Sequence, residues 1–232
     1  KFFDEHKEYK IIHGHCSESG YFIYKEASKR GIPVIIAHAH SNKALFDHKW
    51  FFRTLFKHLM RPYITKVFTC AKESAYWLAG KDKGEKAILQ RNAIDTFKYT
   101  FDNKKALRIR KSLNISEKDI VIGHIGSFWK LKNQTFLIDI INLLKQHQPN
   151  IKLLLIGEGE LRKKIEQKVN LLKLQDNVLF LGSRNDVPEL LNALDLFILP
   201  SLGEGFSIVT LEAQCSGLPC LVSNVLPKEV VI

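Results

Sequence analysis

The chain has 232 residues, 45% hydrophobic and 25% charged, enough to bury a core in one large domain or two of modest size. No apolar run reaches the roughly 18–20 residues of a membrane span, and Lys1-Phe2-Phe3-Asp4-Glu5-His6 does not have the pattern of a secretory signal. Cys16, Cys70, Cys215 and Cys220 match neither a zinc ribbon nor a Cys-x-x-Cys redox pair and point to reduced cytosolic thiols, while a net charge of +11, concentrated in residues 1–100, favours anionic company.

Short runs rich in β-branched residues alternate with longer amphipathic stretches, which is the pattern of βαβ units around parallel sheets. The first strand is predicted over residues 10–15 and carries His13 and His15, with Cys16 directly after it. A helix over 19–30 is stopped by Gly31 ahead of Pro33, and a strand over 33–38 runs into His38-Ala39-His40-Ser41-Asn42. Two His-x-His pairs near one sheet edge raise the question of a metal. Apart from Cys16, however, no carboxylate or thiolate is grouped with them, and the expectation is that no metal is held.

The next helix is predicted over 42–61. Lys49, Arg53, Lys57 and Arg61 recur every four residues as a basic stripe, and Leu45, Phe52, Leu55, Phe56 and Leu59 gather on another side that should pack on the sheet. Phe46, Trp50 and Met60 fall among the basic residues, so 43–61 is either an interfacial helix for an anionic membrane surface or a solvated basic face. Strands over 66–69 and 86–89, with a helix over 72–79 between them, follow. No nucleic-acid reader motif is present, and nucleic acid is not an expected partner.

The stretch from Asn92 to Lys118 is polar and charged, and the strand–helix rhythm restarts at Ile120, which places the domains at 1–110 and 111–232. A helix over 103–113 leads in. Strands over 119–125, 151–156, 177–181, 195–199 and 219–223 then alternate with helices over 133–147, 160–173, 187–193 and 207–216. Asp186 with Glu189 three residues on, and Pro188 in the first turn, predicts a reciprocally capped helix start, and Gly217 ahead of Pro219 a helix stop. The strand ending at Leu199 meets Pro200-Ser201-Leu202-Gly203-Glu204-Gly205-Phe206-Ser207 and then a helix. The amides of Gly205, Phe206 and Ser207 should therefore face out at the carboxyl end of a parallel sheet, a geometry that binds phosphate. Glu204 and Glu212 frame that turn, and carboxylates are good acceptors for paired vicinal hydroxyls.

With Glu204 and Glu212 in that strand-loop-helix context, the chain resembles the retaining glycosyltransferases of family 4. The likeness continues through Val121-Ile122-Gly123-His124-Ile125-Gly126-Ser127-Phe128-Trp129-Lys130-Leu131-Lys132-Asn133, Gly157-Glu158-Gly159 and Leu181-Gly182-Ser183-Arg184, and it is greatest with bacterial enzymes of exopolysaccharide and capsule assembly. It implies an α/β architecture of two Rossmann-like domains facing across a cleft, the GT-B fold, with the acceptor on the first domain and the nucleotide sugar on the second. By resemblance His40 and Glu204 are catalytic groups beside the donor sugar. Glu212 holds the ribose, Gly205, Phe206 and Ser207 contact sugar and diphosphate, and Lys132 is the diphosphate lysine. Ser127 stands where the family usually has arginine, and Lys130 either substitutes for that donor or is a solvated charge. Gly157 lies near the nucleotide, and Arg184 either contacts the base or is solvated or ion-paired. His13 and His38 are expected to be core or supporting groups.

The implied reaction moves a sugar, with retention, from a nucleotide-diphosphate sugar, expected to be a UDP-sugar, to a glycan or lipid-linked acceptor. It needs no metal cofactor, because Lys132 and helix amides would stabilise the leaving diphosphate. The implied location is the cytoplasm, peripheral to the inner face of the plasma membrane. The family's first glycine-rich loop and last helices fall outside residues 1–232, so both domains are expected to be truncated and the fragment inactive alone. A same-fold nucleotide-sugar epimerase and a non-catalytic partner subunit, the latter suggested by Ser127, remain alternatives.

Overall fold

The computed structural model describes residues 1–16, 18–40 and 50–230. In chain order the elements are α1 (Phe2–Glu5), β1 (Ile11–Gly14), α2 (Gly20–Lys29), β2 (Val34–Ala39), α3 (Trp50–Met60), β3 (Lys66–Thr69), α4 (Lys72–Ala79), α5 (Lys81–Glu85) and β4 (Ile88–Leu89). They continue with α6 (Asn103–Ser112), β5 (Ile120–Ile125), α7 (Gln134–Leu144), β6 (Ile151–Ile156), α8 (Arg162–Leu171), β7 (Val178–Gly182), α9 (Val187–Leu191), β8 (Leu196–Leu199), α10 (Ile208–Cys215) and β9 (Cys220–Val222). All nine predicted strands form within two residues of their expected limits. The short helices α1 and α5 have too few residues to show a period and were not expected. Residues 41–49, with Leu45, Phe46 and Lys49, lie outside the described residues.

The chain divides into two compact units, Lys1–Asn92 with Glu204–Phe206, and Ala93–Gly203 with Ser207–Ile232. This division comes earlier than the expected 110. Helix α6 contacts α9, its Asp102 caps its first turn by accepting from the amides of Lys104 and Lys105, and Arg110 pairs with Asp195. The charged linker residues are thus structural parts of the second unit.

The first unit is a four-stranded parallel sheet in the order β1-β2-β3-β4. Ile35, Ala37, Ala39 and Val67 alternate onto one face and meet Tyr24, Met60, Ile64, Ala75 and Leu78 in a single core. Gly14 permits that packing, because a Cβ there would stand 2.1 Å from the Tyr24 hydroxyl. The second unit is a five-stranded parallel sheet in the order β7-β6-β5-β8-β9. Its alternate residues feed separate cores: Ile122, Leu153, Leu155 and Ile198 one, Val121, Leu154, Phe197 and Leu199 the other. Both faces are covered, as an all-parallel sheet requires, and each buried Leu or Ile contributes roughly 1.5–3 kcal/mol. Both units are Rossmann-like, as expected. The strand order of the second reverses between β5 and β8, which is where ligands bind in open α/β sheets.

Two local expectations are corrected. Asp186 does precede α9, with Pro188 in the first turn, but it makes no side-chain cap. Its carboxylate instead takes the Nε and Nη2 donors of Arg184 at 2.8 and 2.6 Å, and Glu189 pairs with Arg108, so no reciprocal cap forms. Helix α3 is turned the other way round. Phe52, Leu55 and Leu59, expected on the sheet, are exposed together with Phe51, which is 64% exposed. The inward side is Arg53, Phe56, Lys57 and Met60, spaced i, i+3, i+4, i+7. Met60 is fully buried, Phe56 stacks on Tyr21 at 5.6 Å, and Lys57 lies 4.4 Å from the centre of the Trp77 ring. Arg53 reaches Glu18 at 3.4 Å and Arg61 donates to the Leu78 carbonyl at 3.3 Å. Long basic side chains bury their stems and keep a partner for the charge, so a basic stripe need not be the wet one.

Candidate functional site

At the carboxyl edge of the second sheet the loops are joined backbone to backbone. The Gly126 amide donates to the Ile156 carbonyl at 2.9 Å, Phe128 to Glu158 at 2.8 Å, and Gly157 to Gly182 at 2.8 Å. Gly157 has φ +136°, and a Cβ there would stand 2.2 Å from the Gly126 carbonyl oxygen. At Gly159 a Cβ would stand 2.7 Å from the Phe128 amide nitrogen. Only glycine allows strands β5 and β6 to deliver their loops this closely. Across the β5–β8 crevice, Leu202 donates its amide to the Leu131 carbonyl at 2.8 Å, and Asn133 donates from Nδ2 to the Pro200 carbonyl at 3.2 Å. Asn133 holds this position in the left-handed conformation, φ +57°.

Ser127 is exposed at the end of β5, and its carbonyl accepts from Gln134 Nε2 at 2.9 Å. Lys130 and Lys132 share a one-turn 3-10 helix. Lys130 is exposed, whereas the stem of Lys132 folds back over Gly126, its Cδ and Cε 3.4 Å from where a Cβ would lie. Of the two lysines, Lys132 is the one at the sheet edge. Beneath it, His124 is fully buried and burial pushes its pKa down to about 4, with the Lys132 charge adding to the effect. The neutral ring donates from Nδ1 to the Ile198 carbonyl at 3.0 Å and leaves Nε2 without a partner among the described residues.

On the β8 side, Ser207 occupies the position before α10 but does not cap it, because its hydroxyl accepts from Thr210 Oγ1 at 2.9 Å. Glu212, in the second turn of α10, accepts from the Tyr99 hydroxyl at 2.7 Å, and burial followed by Glu212 pushes the tyrosine up to about 12. Tyr99 is a supporting residue that sequence reasoning missed; it lies 113 positions from its partner and carries no motif. Glu204, Gly205 and Phe206 group with the first compact unit and Glu212 with the second. Arg184 is engaged by Asp186, which is the ion-paired alternative.

The first sheet presents a different edge. His40 is exposed after β2, and its Nε2 is 2.8 Å from His15 Nδ1. His13 Nε2 is 3.1 Å from His38 Nδ1. His38 is buried, with its pKa pushed down to about 4 by burial and then by the neighbouring imidazoles; of the two expectations for His13, core or supporting group, its exposure excludes the core. Burial also lowers His40 and His13, which favours neutral rings.

The family model described as glycosyl transferases group 1 matches residues 106–232. A putative glycosyltransferase EpsF of Bacillus subtilis is 30% identical over 231 residues, 97% of this chain and 60% of the relative. A UDP-Gal:alpha-D-GlcNAc-diphosphoundecaprenol alpha-1,3-galactosyltransferase of Escherichia coli is 27% identical over 227 residues, 94% of this chain and 59% of the relative. Among solved structures, Anabaena Alr3699/HepE in complex with UDP and glucose superposes with a TM-score of 0.84 at 22% identity, covering 97% of this chain and 62% of that one. The chain therefore spans about three fifths of the length of these relatives. With a family match that covers more than half of the residues and a shared fold, the chain belongs to the glycosyl transferases group 1.

Proposed function

We propose that this chain is the donor-binding and part of the acceptor-binding region of a retaining, family 4 glycosyltransferase with the GT-B arrangement, which transfers a sugar from a UDP-sugar to a glycan or lipid-linked acceptor in surface polysaccharide synthesis. The observation that carries the reading is the β5–β8 crevice. There glycine-closed loops and the folded-back Lys132 stand beside the point where the strand order reverses, and Tyr99 holds Glu212 in α10, the helix that follows β8. Lys132 would meet the diphosphate and Glu212 the ribose hydroxyls. Glu204 and His40 would act beside the sugar, and Ser127, Lys130, Gly157, Arg184, Gly205, Phe206 and Ser207 would line the donor. UDP in the structures of Anabaena Alr3699/HepE and the UDP-galactose donor named for the Escherichia coli relative support uracil as the base.

The test is a thermal-shift panel of UDP-, GDP- and ADP-sugars, in which the UDP-sugar should stabilise most. In the active enzyme Glu204→Gln should lower turnover on the order of a hundredfold with little change in donor KM, whereas Glu212→Ala should chiefly raise donor KM. Wild-type kinetics in both variants would refute the assignment.

The acceptor reading extends to a membrane surface. No helix among the described residues is long and apolar enough to cross a bilayer, but Phe51, Phe52, Leu55 and Leu59 present an exposed apolar face on α3. That face would enter the headgroup boundary, with the basic residues of the first half in support. Phe51→Ser with Phe52→Ser should release the protein from acidic vesicles; wild-type binding by this variant would exclude α3 as the contact.

A further inference from the structure

The parallel register of β1 with β2 pairs His13 with Ile36 and Gly14 with Ala37. Side chains alternate with a period of two and paired residues share a face, so His13 and His15 of one chain segment fall on the same side as His38 and His40 of the other. Phe68, paired with His38 across β2 and β3, walls that side and meets the His13 ring edge to face at 5.4 Å. The result is a stack of imidazoles at the carboxyl edge of the first sheet, His38–His40 at 4.3 Å, His13–His15 at 4.6 Å and His15–His38 at 4.9 Å between ring centres.

We propose that His13, His15 and His38 form a binding site for a divalent transition-metal ion of the imidazole-preferring kind, zinc foremost. One ring nitrogen from each of the three lies within 4.8 Å of the others. Independently, His38 is 8% exposed and its Nε2 is buried with no hydrogen-bond partner among the described residues. A nitrogen lone pair or N–H in that position costs roughly 1–3 kcal/mol unless something satisfies it. Tetrahedral zinc with bonds of about 2.0–2.1 Å separates its ligand nitrogens by about 3.3 Å. The present triangle must therefore contract by at most about 1.5 Å, which rotation of the exposed His13 and His15 side chains can supply while His38 stays in place.

His40 has a separate part. It shares a hydrogen bond with His15 through His15 Nδ1, which leaves His15 Nε2 for an ion and fixes the ring, the usual outer support of a metal-bound histidine. Three imidazole nitrogens, with no carboxylate or thiolate grouped with them among the described residues, suit zinc, nickel or copper and disfavour the oxygen-seeking magnesium and calcium. The fourth position would be open to water or an oxygen ligand.

The experiment titrates the 232-residue chain, freed of metal with a chelator, with zinc against a chromophoric competitor, and with cobalt followed by its visible absorption. About one equivalent should bind per chain, and excess magnesium or calcium should not displace it. His15→Asn and His13→Asn, on exposed rings, should each weaken zinc at least about tenfold with unchanged circular dichroism. His147→Asn, in the second unit, and Cys16→Ser should leave affinity in place. Absence of a stoichiometric site, wild-type affinity in both histidine variants, or loss of binding in Cys16→Ser alone would overturn the proposal.

Discussion

At the carboxyl edge of the first sheet four imidazoles supply the polar atoms, and they are hydrogen-bonded in pairs, His13 with His38 and His15 with His40. At the same edge of the second sheet the backbone does this work, with Gly126, Gly157, Gly159 and Gly182 drawing the loops into contact. The first edge therefore offers imidazole nitrogens, the kind of donor a transition-metal ion takes. The other presents fixed dipoles, which suits a ligand of constant charge such as a diphosphate. The second sheet has a histidine too, but His124 is sealed beneath the edge and held neutral, so it belongs to the scaffold.

The strongest way to break this comparison is to give the second edge a side chain where it has none. Gly157→Ala would add a Cβ 2.2 Å from the Gly126 carbonyl oxygen at a backbone angle of +136°, and should cost about 3–5 kcal/mol in urea unfolding. Gly217→Ala, at +76° with open space around it, should cost only about 1–2 kcal/mol for its conformation. Equal losses would mean that close backbone approach is not what builds the edge.

A second test concerns the sealed histidine. The unfolded chain binds a proton on His124 near pH 6.5, whereas the folded chain resists it until about 4. The stabilisation is thus complete above pH 6.5 and is lost as pH falls toward 4, by an amount on the order of 3 kcal/mol. His124→Gln should reduce the slope of unfolding free energy against pH in that window by about one proton. An unchanged slope would mean that His124 does not titrate in that window.

The third and smallest effect separates the two lysines. Lys132→Ala should weaken UDP-sugar binding about tenfold, the loss of one charge-assisted contact, and Lys130→Ala by less than about twofold. If both weaken it equally, Lys130 reaches the diphosphate and offsets the missing arginine at Ser127.

Much of the fold was legible in the chain. Apolar runs and their periods located nine strands and the main helices, and Gly31 and Gly217, both at positive φ, stop α2 and α10 where glycine ahead of proline said they would. These are local matters, decided within a few residues by sterics and hydrogen bonding. The candidate site was legible only as far as its strand-end loops and the motifs that resemble family 4.

What the chain alone could not decide depended on long-range partners. A helical wheel offered two faces of α3, and it took Trp77, Glu18 and Tyr21 to engage Lys57, Arg53 and Phe56 and turn that side inward. Asp186 had the spacing of a cap, yet Arg184 captured its carboxylate, because a charged bidentate partner outcompetes backbone amides. Two His-x-His pairs could be read directly, but only the register of β1 against β2 put all four rings on one face; a slip of one residue would have sent one pair to the other side.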